Sequence, residues 1–105
     1  MFRLLDKSLF FPEVYQAVAG ENYKVYAYMN DGSMRLYNVK PLIDGGGVFE
    51  SLRNKQTFKD TLTVLNGTIA WDLEGTRDES KCIDIDPFDV YETGSIVPDD
   101  RKSVV

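Results

Sequence analysis

Three aspartates crowd one short stretch: Asp84 and Asp86, alternating with Ile83 and Ile85, and then Asp89. Side chains alternate along a strand, so Asp84 and Asp86 fall on one face, and Asp89 follows Asp86 by one helical turn. Carboxylates so placed can share general acid–base work or offer hard oxygen ligands to a divalent cation. The competing use is structural. Asp86-Pro87 has the form of a helix start, with aspartate as N-cap and proline at the first helical position, and Asp89 suits the positive end of the helix dipole. The chain has no histidine, so a zinc centre or a two-histidine facial site cannot be completed. The structural use carries more weight.

Nucleophiles fail on the same absence. Cys82 is the single cysteine; no imidazole can take its proton, and acidic neighbours raise a thiol pKa. One cysteine also excludes an internal disulfide and fits a reducing compartment. Gly45-Gly46-Gly47 could cradle a phosphate, but a P-loop needs Gly-Lys-Ser/Thr running into a helix, and here Val48-Phe49-Glu50 follows. The glycines are expected to supply a left-handed turn. No catalytic, cofactor-binding or metal-binding residue is assigned, no cofactor is expected, and the chain reads as a non-enzyme.

What remains is a surface. Asp31-Gly32 suits the two positive φ angles of a type I′ turn and is flanked by strand-forming residues, which predicts a tight hairpin over residues 22–39. With a two-residue loop, Met29 faces Met34, Tyr28 faces Arg35, Ala27 faces Leu36 and Tyr26 faces Tyr37. Val25, Ala27, Met29, Met34 and Leu36 would then line the core. Tyr26, Tyr28, Arg35 and Tyr37 would share the other face, which is either covered by the chain's own helix or N-terminal segment or presented to a partner as the candidate interaction surface. Tyrosine and arginine are favoured at interface hot spots, and cross-strand aromatic pairs also stabilise a sheet without a partner.

The elements that must hold this face are short. Glu13–Ala19 is expected to add a third antiparallel strand to the hairpin, and Lys40-Pro41 ends the ladder. Asn54 can cap a short helix reaching about Leu62, with Phe58 turned inward. Thr63–Leu65 and Thr68–Trp71 flank an Asn66-Gly67 turn. Lys81–Ile85 reads as a strand, and Asp86-Pro87 opens a last helix that Gly94 stops. The fold class is α+β: a small antiparallel sheet, made of a three-stranded meander plus shorter return strands, with two short helices. Residues 12–94 form a single domain, 1–11 an apolar extension and 95–105 a tail with little reason to be ordered.

With 43% hydrophobic and 28% charged residues, the chain belongs among globular rather than disordered sequences. Its net charge of −5 argues against direct nucleic-acid binding, which needs clustered Lys and Arg, and favours a basic partner. Asp6 and Lys7 split the apolar extension into runs too short for a signal peptide, and no segment has membrane-spanning length. A cytoplasmic location is expected. The extension must be buried somewhere, over its own sheet or in a homodimer through Met1–Phe11.

Three pieces in a fixed order carry a family resemblance: Val39-Lys40-Pro41-Leu42 after the Asp-Gly hairpin; Gly47-Val48-Phe49-Glu50-Ser51-Leu52 followed by Phe58; and Trp71 followed by Asp84-Ile85-Asp86-Pro87-Phe88-Asp89-Val90-Tyr91. Over about residues 12–93 the chain resembles the small bacterial family of unknown function DUF2442. The resemblance implies an α+β fold, no enzymatic activity, and, as proposed for some members, the antitoxin half of a toxin–antitoxin gene pair. Other members continue into a helix-turn-helix domain, for which this sequence has no room. It also departs in its longer, charged connection from Trp71 to Asp84 and in its apolar extension. A protein-binding module, the antitoxin of a pair whose partner is basic and encoded nearby, is therefore the expected function. The alternative is a small-molecule-binding domain with its pocket between sheet and C-terminal helix.

Overall fold

The computed structural model describes residues 11–97, with the side chain of Glu79 excepted; the extension before Phe11 and the segment after Val97 lie outside the described residues. The chain begins with the expected meander: β1 (Val14–Ala19), β2 (Lys24–Met29) and β3 (Met34–Asn38), paired antiparallel. In β2 the period of two is visible in burial, with Val25, Ala27 and Met29 buried and Tyr26 and Tyr28 half-buried.

The turn between β2 and β3 departs from expectation, and the register departs with it. Of Asp31 and Gly32 only Gly32 takes a positive φ, of 88°. Asp31 instead turns its carboxylate onto Ser33, accepting from the backbone amide at 2.9 Å and the hydroxyl at 2.6 Å. Gly32 N donates to Met29 O at 3.0 Å and Met29 N to Ser33 O at 2.8 Å. This is a three-residue loop, Asn30-Asp31-Gly32, closed by a glycine bulge rather than a two-residue type I′ turn. The pairing becomes Tyr28 with Met34, Ala27 with Arg35, Tyr26 with Leu36 and Val25 with Tyr37. A slip of one residue exchanges the faces of a whole strand. Arg35 and Tyr37 therefore join Val25, Ala27 and Met29 on the inner face, while Met34 and Leu36 join Tyr26 and Tyr28 on the outer one.

After β3 come α1 (Lys40–Asp44), a 3-10 helix (Gly47–Arg53) and α2 (Lys55–Asp60). Gly46 and Gly47, at φ 81° and 68°, make the expected left-handed passage between the first two. Asn54 caps α2, its side-chain oxygen accepting from Gln56 N at 2.9 Å and Thr57 N at 3.1 Å. A second hairpin follows, β4 (Leu62–Leu65) and β5 (Thr68–Trp71), with Leu65 opposite Thr68. Here Asn66 and Gly67 both take positive φ, 55° and 74°, as a two-residue type I′ turn requires.

β6 (Ile83–Asp84) joins β5, α3 (Pro87–Thr93) starts at the Asp86 cap, and β7 (Ser95–Val97) pairs with β3. The tail expected from residue 95 thus opens with a strand. The sheets have orders β1-β2-β3-β7 and β4-β5-β6, and no helix among the described residues is long and apolar enough to cross a membrane.

The core lies between the inner face of the larger sheet and the remaining elements. Val14, Val25, Ala27, Met29 and Tyr37 meet Ile43, Leu52, Phe58, Ile69, Trp71, Ile85 and Val90. Trp71 sits at its centre, with the Phe58 ring at 5.5 Å and the Phe49 ring edge-on at 6.5 Å, and its indole N–H donates to Phe58 O at 3.2 Å.

α3 meets β3 closely at its C-terminal end. A Cβ on buried Gly94 would stand 2.5 Å from Val90 O and 3.1 Å from Arg35 Cβ. Gly94→Ala is expected to destabilise the fold by about 1–3 kcal/mol through overpacking, seen as a fall of several degrees in Tm; an unchanged Tm would show that the junction can open at no cost.

Candidate functional site

The four residues expected to share a surface are divided by the sheet. Arg35 and Tyr37 project from β3 beneath α3 and are engaged there. The Tyr37 hydroxyl donates to Asp89 Oδ2. Arg35 Nη1 donates to the backbone oxygen of Tyr91 at 2.8 Å, its guanidinium stacks 4.1 Å from the Tyr91 ring centroid, and its Nε donates to Ser33 Oγ at 3.2 Å. Tyr91 Oη donates to Asp31 Oδ2 at 3.1 Å, and Arg35 Nη2 lies 4.0 Å from the same oxygen. Two of the proposed contact residues are thus internal struts between hairpin and helix. Their partners Asp89 and Tyr91 carry no signal in sequence, because pairing them needs the true register of β3.

The electrostatics follow from these contacts. Burial, the hydrogen bond to Asp89 and the carboxylate's charge together push the Tyr37 hydroxyl far above the ordinary tyrosine pKa. Burial alone would raise the Asp31 carboxyl, but hydrogen bonds from Ser33 and Tyr91 and the charge of Arg35 outweigh it and hold the pKa below its usual value.

Tyr26 and Tyr28 occupy the outer face with Leu36 and Met34. Gln16 and Val18 of β1 and Ser95 and Val97 of β7 extend that face by pairing, and Tyr15 sits at a bulge in β1. Tyr15 and Val18 are 67% and 42% exposed. The residues of this face stand outside the main core cluster.

A groove opens elsewhere, beside the start of α3. Leu42, Phe49 and Ile85 form its apolar part and Asp84, Asp86 and Asp89 its acidic part, around a volume of about 430 Å³. Asp86 Oδ1 accepts from Phe88 N at 2.9 Å as the helix cap, Asp89 accepts from Tyr37, and Asp84 is exposed. Among the described residues no group of three His, Cys, Asp or Glu is placed to hold a metal ion. A second cavity, of about 290 Å³, lies among Gly20, Glu21, Asn22, Tyr23, Lys55, Phe58 and Lys59. Cys82 is half-buried, and burial together with Asp72, which accepts its thiol hydrogen bond, and the charges of Asp78 and Asp84 push its pKa up. That is the opposite of nucleophile activation.

No family model, curated protein or solved structure matches this chain.

Two predictions test the struts. Tyr37→Phe is expected to cost about 1 kcal/mol near neutral pH, by denaturant unfolding. Because the folded pKa is raised, this contribution is fully present below the unfolded value of about 10 and is lost as pH rises through the folded one. Wild type should therefore weaken in that alkaline range more than the variant, and parallel curves would remove Tyr37 from the account. Asp31 has the opposite sign: its lowered pKa stabilises above the unfolded value of about 3.9 and ceases to do so as pH falls through the folded value. Asp31→Asn should accordingly flatten the acid limb of a stability–pH profile.

Proposed function

We propose that this chain is a non-enzymatic, cytoplasmic protein-binding module that takes a basic segment of a partner protein into the groove beside α3. One observation carries the reading. Leu42, Phe49, Asp84, Ile85, Asp86 and Asp89 come from three separate pieces of sequence, Val39–Leu42, Gly47–Leu52 and Asp84–Tyr91, and these are the pieces on which the resemblance to DUF2442 rests. The chain brings them to one place. A lysine or arginine has an apolar stem for Leu42 and Phe49 and a cationic head for the carboxylates. The net charge of −5 would favour encounter with such a partner. The resemblance supports the more specific role, an antitoxin that neutralises a basic toxin by contact.

A second reading, binding of a small anionic molecule, draws on the other cavity, where Lys55 and Lys59 stand beside Tyr23 and Phe58. A thermal-shift titration separates the two, since a true ligand raises Tm with its concentration.

The partner reading is tested by co-expression with the product of the neighbouring gene. Co-purification is expected, weakening with salt, and Asp84→Lys should loosen the complex about tenfold or more without unfolding the chain. A complex indifferent to Asp84→Lys would place contact elsewhere, and no complex at all would dismiss the pair.

A further inference from the structure

We propose that the cavity between the β1–β2 turn and α2 is a site for a small aromatic carboxylate, an assignment that rests on the second reading above and names its ligand class. It shares no residue with the groove beside α3. Its volume of about 290 Å³ is close to the roughly 300 Å³ at which small-molecule sites begin.

Two local arrangements in the cavity wall are unfavourable in themselves. The first is in the turn. Lys24 N donates to Glu21 O at 3.2 Å, so Asn22 and Tyr23 are the central residues of a tight turn, at φ 56° and 62°. The second of these positions is ordinarily glycine, and a bulky side chain there strains the backbone. Tyr23 is held nonetheless: its ring meets Phe58 edge-on at 5.4 Å and its hydroxyl donates to the backbone oxygen of Arg53. Strained residues kept in place by their surroundings gather at ligand clamps. Of the four non-glycine residues with positive φ among the described residues, two line this one cavity.

The second arrangement is on the helix. Lys55 and Lys59 stand four residues apart in α2, where like charges repel. Asp60, the carboxylate of the same helix, accepts instead from Gln56 Nε2 at 2.8 Å. Arg35, Lys40, Arg53 and Lys81 each pair with a carboxylate, whereas Lys55 and Lys59 form no ion pair among the described residues. The Lys55 ammonium lies 6.0 Å from the Tyr23 ring centroid. Glu21 is the one acidic residue of the lining, so two lysines against one glutamate leave a single positive charge in excess within an acidic chain.

These features select the ligand. A carboxylate has two oxygens for the two ammonium groups and the single negative charge that matches the excess. Tyr23 and Phe58 supply an apolar wall for a ring, and that wall is braced before anything binds, which lowers the cost of ordering the site. A bound anion would also relieve the repulsion between the lysines.

The test is a titration of the isotope-labelled chain with 2-naphthoate, read in backbone amide NMR spectra. Saturable shifts at Asn22, Tyr23, Lys55 and Lys59 are expected, with little change at Asp84 and Asp89 in the groove. Acetate and the neutral 2-naphthalenemethanol should each bind about tenfold more weakly or worse. If acetate binds as tightly as 2-naphthoate, the aromatic class is overturned while the anion reading stands; if neither these carboxylates nor inorganic phosphate shifts the four amides, both fall. Lys55→Gln with Lys59→Gln should weaken 2-naphthoate about tenfold or more and slightly raise the Tm of the ligand-free chain, because the repulsion is gone. Undiminished binding by that variant, or a lower Tm, contradicts the assignment.

Discussion

The arrangement of the larger sheet depends on how one aspartate closes a turn. Asp31 keeps its backbone out of the left-handed region and directs its carboxylate to Ser33, leaving Gly32 alone to take the positive φ. The loop is then three residues long, and β3 is set one position away from a two-residue closure. That offset puts Arg35 and Tyr37 under α3, where each finds a partner on the helix. With the other register the two would point away from the helix, and Leu36 would stand opposite Ala27 in the place of Arg35, with Asn38 opposite Val25 in the place of Tyr37.

Arg35 is the clearest case of a polar group satisfied by its surroundings. Its side chain is only 12% exposed, and burying a guanidinium is costly unless its donors are met. A serine hydroxyl, a backbone carbonyl, an aromatic face and a nearby carboxylate meet them here. Tyr91 contributes twice, as ring and as carbonyl, and its hydroxyl returns to Asp31. The turn that sets the register is thereby tied to the helix the register serves, so local and tertiary preferences agree.

Much of this architecture was legible from residue types alone. Asn54 and Asp86 cap the helices they announce, Asn66-Gly67 makes the turn its composition demands, and the meander, the α+β class and the inward Phe58 and Ile85 all stand in the structure. Asp31-Gly32 misled because Asp-Gly serves both a type I′ turn and a type I turn with a glycine bulge, and the choice rests on a side-chain hydrogen bond that local pattern does not encode. The error then spread along β3, since alternation transmits an offset without attenuation. Tyr26 and Tyr28 kept their places because they belong to the strand before the turn. Ser95–Val97 was missed for a different reason: three residues have no period to read, and their strand character comes from the edge of β3 beside them. The groove was visible only as scattered parts, because no local pattern brings Leu42 and Phe49 to Asp84.

α3 is short, yet it is anchored in both sheets. Its cap follows directly on β6 of the smaller sheet, and the chain leaves it through Gly94 into β7, at the edge of the larger one. It thus works as a clasp whose two ends are sewn into different panels. Peeling β7 from β3 would free one of those ends. The clasp is reinforced at the far side of the core, where Val14 N in β1 donates to Gly67 O of the second hairpin at 2.9 Å, so the panels are also stitched to each other directly.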